Sequence, residues 1–166
     1  MTSHSAGPEP RTVVLVDDTP DVRLLVRRAL ERDGGLRVVA EAGDGSTGLA
    51  AAREHQPDAV LLDIAMPVMD GLEALPLIRE ACPQTTVIML SGFGAEQMVD
   101  KALESGAAGY IQKGQPMREL VTLVHSLMKD DETGAGSRGP AGGPPGMLHR
   151  VFSALRPKPR RPVALI

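Results

Sequence analysis

Five residues have the types and placement to work on phosphorus: Asp17, Asp18, Asp63, Ser91 and Lys113. Each follows a short apolar run: VVLV before Asp17 and Asp18, AVLL before Asp63, VIML before Ser91 and GYIQ before Lys113. Three carboxylates gathered in one pocket repel one another and need a cation. With oxygen ligands and no His or Cys beside them, the expected cation is Mg²⁺, which keeps several waters and holds phosphates. A carboxylate beside bound Mg²⁺ can attack phosphorus and form an aspartyl phosphate. Asp63, alone at its strand end, is the candidate nucleophile and joins Asp17 and Asp18 in the metal set. Lys113 would neutralise incoming phosphoryl oxygens, and the Ser91 hydroxyl would hydrogen-bond one of them.

Such a pocket exists only if the four runs end at one edge. Strand-like segments at Thr12–Val16, Leu36–Glu41, Ala59–Leu62, Thr86–Leu90 and Gly109–Gln112 alternate with helical patterns. The helices run over about Pro20–Arg32, Ser46–His55, Leu72–Glu80, Glu96–Ser105 and Pro116–Lys129. In the first helix Val22, Leu25, Val26, Ala29 and Leu30 form a stripe opposite Arg23, Arg27 and Glu31. Thr19 is placed to cap it, with Pro20 in the first turn. Five strand–helix units imply an α/β fold, a parallel sheet with helices on both faces. Sites in such sheets form beyond the carboxyl ends of the strands.

Composition narrows the class. Hydrophobic residues make up 42% of the 166 and aromatics 2%, so the core must be aliphatic. The single Cys82 excludes an intramolecular disulfide, and no apolar run reaches the roughly 20 residues of a membrane span. A cytoplasmic protein is expected. From Asp131 onward six basic residues face two acidic ones, a charge of +4, which leaves −7 on residues 1–130 of a chain totalling −3. An acidic body with a basic end argues against nucleic-acid binding by the body. The expected organisation is a disordered N-terminus (1–10), one domain (11–129), a Gly/Pro-rich linker (130–146) and a basic, disordered tail (147–166).

The set VLVDD, LLDIAMPVMDG, VIMLSG and GAAGYIQKG resembles the receiver domain of bacterial two-component response regulators in motif order and spacing, over Thr12 to Lys129. The resemblance implies a flavodoxin-like (βα)₅ three-layer sandwich with strand order 2-1-3-4-5. It also implies phosphoryl transfer to Asp63 from a histidine kinase or a histidine phosphotransfer protein. Asp17 and Asp18 would bind Mg²⁺, Ser91 and Lys113 would contact the phosphoryl group, and Tyr110 would be the switch aromatic. Gly114 stands where many receivers have proline. EAGDG from Glu41 and the Gly-Ala-Ala-Gly-Tyr run are similar to the subfamily that usually carries a C-terminal helix-turn-helix. No such pattern follows here, so a stand-alone receiver is expected: a phosphoacceptor assisting its own phosphorylation and slow dephosphorylation rather than an enzyme.

The output stays open between a partner-binding regulator, a phosphorelay intermediate and a phosphate sink. Helix five carries Met117, Leu120, Val121, Leu123, Val124, Leu127 and Met128 over more than one face. That surplus is either a wide core stripe or, with helix four and strand five, a surface for a downstream protein or a phosphorylation-dependent homodimer. Leu24, Arg27 and Arg28 on helix one are candidate kinase contacts. A flavodoxin-like flavin carrier is disfavoured, because Asp17 and Asp18 would repel a phosphate. Rapid phosphatase turnover is not expected with Ala at position 65. Asp70 and Gly71 read as a turn and helix start, Met66 and Met69 as loop packing, and Cys82 as inert.

Overall fold

The computed structural model describes residues 9–92 and 96–133, with side chains described except at 96–97 and 130–133. Residues 9–10 apart, the expected disordered N-terminus lies outside the described residues. So does the expected tail, and the linker beyond 133. Among the described residues, strands β1 (Arg11–Val16), β2 (Leu36–Ala42), β3 (Ala59–Asp63), β4 (Thr86–Ser91) and β5 (Gly109–Gln112) alternate with five helices. These are α1 (Pro20–Asp33), α2 (Gly45–His55), α3 (Gly71–Ala81), α4 (Glu96–Glu104) and α5 (Met117–Thr133). The strands form one parallel sheet in the order β2-β1-β3-β4-β5, the flavodoxin-like arrangement expected.

Side-chain alternation divides the core into two layers. Val13, Leu15, Leu61, Ile88 and Leu90 face one side, against Val26 and Leu30 of α1 and Leu120, Val124 and Leu127 of α5. Val14, Val16, Val60, Leu62, Val87 and Met89 face the other, against α2, α3 and Ala102 of α4. Covering both faces explains why the central strands read as unbroken apolar runs.

Local chemistry sets the element ends. Asp70 caps α3 with a reciprocal box: the Glu73 N–H donates to Asp70 Oδ1 at 2.9 Å, and the Asp70 N–H donates to Glu73 Oε2 at 3.0 Å. Asp44 caps α2 by accepting from the Thr47 N–H at 2.9 Å. Thr19 takes the cap position of α1, but its side chain makes no cap bond. Its hydroxyl turns to Asp18 Oδ1 at 3.3 Å instead.

Two expectations are corrected. Leu25, expected in the α1 core stripe, is 55% exposed, because Val26 and Leu30 already fill the contact with the sheet. Helix α5 runs to Thr133, beyond the expected end at Lys129, because charged residues alone do not stop a helix. Its apolar surplus is a wide core stripe. Leu120, Val121, Val124, Leu127 and Met128 are buried, and Met117 and Leu123 pack against the same layer.

Gly71 opens α3 where the chain doubles back on the end of β3. Its N–H donates to the Ile64 carbonyl at 2.8 Å. A Cβ there would sit 2.1 Å from the Asp63 carbonyl oxygen. Neither backbone segment can yield without moving the pocket, so Gly71→Ala is expected to lower unfolding free energy by about 1–3 kcal/mol. The check is the urea midpoint at unchanged slope.

Candidate functional site

The strand register delivers the expected residues in one-residue steps. Val16 pairs with Leu62, so Asp17 and Asp63 come next on adjacent strands. Asp63 pairs with Leu90, so Ser91 follows, and Ser91 pairs with Gln112, so Lys113 follows. Lys113 Nζ lies 2.6 Å from Asp17 Oδ2 and 2.9 Å from Asp63 Oδ2, one ammonium bridging two carboxylates. Asp17 and Asp63 are buried, while Asp18 is exposed at the mouth. One carboxylate oxygen from each of Asp17, Asp18 and Asp63 falls within 4.8 Å of the others. This all-oxygen set, buried on one side and open on the other, fits a hard divalent cation.

Asp17 is held by hydrogen bonds at its N–H, its carbonyl and Oδ1, while Oδ2 has the Lys113 ion pair alone. Its N–H donates to the Ala42 carbonyl at 3.0 Å, and its Oδ1 accepts from the Thr19 N–H at 2.9 Å. Its carbonyl accepts from Arg23 Nη1 at 2.6 Å. Burial pushes the Asp63 carboxyl above its ordinary pKa, with Lys113 pulling it down and Asp17 adding to the rise. Burial disfavours the Lys113 ammonium too, but its interactions with the Asp17 and Asp63 carboxylates, which accept from it, outweigh that cost and its pKa is raised. Its contribution to stability is therefore present across the neutral range and lost as pH rises through that raised value.

The other expected residues are placed differently. Ser91 is buried at the end of β4, but its hydroxyl donates to the Gly92 carbonyl at 3.0 Å. The Lys113 N–H donates to the Ser91 carbonyl at 2.6 Å, which fixes the two loops together. Tyr110 pairs with Met89 in the sheet and packs, half-buried, against the second core layer. Gly114 adopts φ +94°, which proline cannot reach.

Sequence reasoning missed two residues around the pocket. The helical pattern puts Arg23 on the solvent side of α1, yet its side chain reaches back over the loop to the Asp17 carbonyl. Its spacing is the available signal, since helical side chains lean toward the N-terminus. Val68 sits in the loop after β3 at φ +69° and 89% exposed, a strained backbone for a β-branched residue. Nothing in the sequence marks it.

A family model for the response regulator receiver domain matches residues 13–125. The chain is 40% identical over 176 residues to protein-glutamate methylesterase/protein-glutamine glutaminase 1 of Paramagnetospirillum magneticum, covering 96% of this chain and 45% of that protein. It thus spans less than half the length of that relative. The fold is similar to the signal receiver domain of the response regulator NarL from Mycobacterium tuberculosis, with TM-score 0.70 and 38% identity, over 74% of this chain and 98% of that one. It is also similar to a chain in the CheX-CheY-BeF3-Mg+2 complex from Borrelia burgdorferi, with TM-score 0.67 and 32% identity, over 71% of this chain and 89% of that one.

Because the folded Asp63 carboxyl titrates above its unfolded value, the unfolded chain releases that proton first as pH rises. Stability therefore falls between the ordinary carboxylate range and the raised folded value. In magnesium-free buffer Asp63→Asn is expected to raise the urea midpoint at pH 7, and the gap should close below about pH 4. Urea titrations of both proteins across that range measure it.

Proposed function

The chain belongs to the response regulator receiver domain family, and from that premise we propose that it accepts a phosphoryl group on Asp63 from a histidine kinase or a histidine phosphotransfer protein. The observation that carries this reading is the Lys113 ammonium bridging two buried carboxylates, with Asp18 at the mouth. An Asp63 oxygen attacks phosphorus; the O–P bond forms as the P–N bond to the donor imidazole breaks, and that nitrogen keeps the electron pair. Lys113 stays charged and turns from the carboxylates toward the phosphoryl oxygens. When held by Asp17, Asp18 and Asp63, Mg²⁺ supplies the positive charge that lets an anionic group approach a carboxylate. The donor's docking surface is read as α1, where Leu24, Leu25, Arg27 and Arg28 are exposed.

Phosphorylation replaces about one negative charge at residue 63 with about two. The Ser91 hydroxyl leaves the Gly92 carbonyl for a phosphoryl oxygen, and the Tyr110 ring turns into the space released. The α4, β5 and α5 face changes with it and alters the affinity for a downstream protein or a second copy. Coupling of this kind is worth about 1–3 kcal/mol, roughly fivefold to a hundredfold in affinity. In this reading the receiver works as a cytoplasmic regulator. Among the described residues no helix is long and apolar enough to cross a membrane. The similarity to a methylesterase over 96% of this chain favours a second reading of the output, in which the receiver governs an effector of that type.

Asp63→Ala is expected to abolish hydroxylamine-sensitive phosphate labelling by a phosphohistidine donor. Lys113→Met should slow labelling about 10²-fold, the usual effect of removing one charge-stabilising donor. Labelling that persists in Asp63→Ala would assign the phosphate elsewhere.

A further inference from the structure

Asp17 and Asp18 are neighbours in sequence, and in an extended strand successive side chains point to opposite faces. Yet both bring a carboxylate oxygen within 4.8 Å of Asp63. Their convergence requires the peptide between them to leave the strand alternation and be held there. The carbonyl of that peptide is Asp17 O, and it accepts from Arg23 Nη1 at 2.6 Å.

The same guanidinium is fixed from its other side. Arg23 Nε donates to Glu41 Oε2 at 3.3 Å, and Glu41 Oε1 accepts from Arg27 Nη1 at 3.1 Å. Glu41 belongs to β2 beside Ala42, whose carbonyl accepts the Asp17 N–H. The peptide units on both sides of Asp17 are thus anchored to the end of β2, one directly and one through Arg23. Asp18 lacks comparable support, being exposed with its carboxylate against the Thr19 hydroxyl at 3.3 Å. Its direction into the pocket depends on the peptide it hangs from.

We infer that Arg23, its planar fork joining the Asp17 carbonyl to Glu41, is a positioning residue that holds Asp17 and Asp18 in cation-binding geometry. This deepens the proposed function and rests on reading the three carboxylates as a Mg²⁺ site. Arg23 does not touch the cation; it acts through the loop. Charge and positioning make opposite forecasts here. A cationic side chain near the pocket repels Mg²⁺, so if charge were its main effect, removing it would tighten binding. If its effect is to hold the peptide, removing it loosens the ligands and weakens binding. Lysine separates the cases again, since it keeps the charge but lacks the two-pronged planar geometry.

Isothermal titration of Mg²⁺ into the 166-residue chain, Arg23→Gln and Arg23→Lys decides between them, with urea unfolding in EDTA as the folding control. Arg23→Gln is expected to raise the Mg²⁺ Kd about tenfold, the lower end for residues that orient metal ligands. Arg23→Lys should fall between that value and the parent. An unchanged or lower Kd in Arg23→Gln, or a parental Kd in Arg23→Lys, overturns the inference. Should Arg23→Gln lose its cooperative urea transition, the lysine variant decides alone. Uptake by the parent with no change in the variants overturns this inference and leaves the cation site standing. No uptake by the parent overturns both.

Discussion

One ammonium shared between two buried carboxylates is the contact on which the rest of the molecule depends. Two like charges about 4 Å apart repel by about 4 kcal/mol at the effective dielectric of a protein surface. Each buried ion without a partner costs several kcal/mol more. Lys113 offsets part of this by meeting Asp17 and Asp63 together. With Asp18 at the mouth the pocket still holds three carboxylates against one ammonium. That residual negative charge on an all-oxygen cluster suits a divalent cation.

The scaffold's task is to make this unfavourable grouping unavoidable. A parallel sheet sends every strand end to one edge, and the register offsets place Asp17, Asp63, Ser91 and Lys113 successively along it. Two apolar layers hold the strands from either side, so the sheet's stability is spent keeping the edge charged. The loops add close backbone contacts. Gly71 meets the Asp63 peptide, and Gly45 donates its N–H to the Met69 carbonyl at 2.9 Å, joining α2 to the loop that follows Asp63.

What could be read in advance follows from which interactions are local. Apolar runs ending in Asp, Ser or Lys state both the strand and its terminal chemistry, so the acidic cluster and Lys113 were legible before any coordinates. Asp70 and Gly71 were legible as a helix start because capping is decided within four residues. Leu25 was misplaced because helical periodicity gives a stripe but not its centre, and the sheet needs fewer positions than the stripe supplies. The end of α5 was missed because DDET looks like a solvated linker, whereas a helix stops only when its backbone must leave the conformation. The Ser91 rotamer and the reach of Arg23 were invisible for another reason. Both are choices among staggered side-chain states settled by neighbours distant in sequence.

Val68 carries a different kind of information. Holding a β-branched residue at φ +69° with its side chain in water gains nothing from packing. In laboratory evolution that makes the position a reporter of selection pressure. A population sorted for thermal resistance alone should drift to glycine or asparagine there. One sorted for signalling should keep the branched side chain if the loop's shape matters to whatever docks beside the mouth. Sequencing one codon after each regime would reveal which demand this corner of the surface answers.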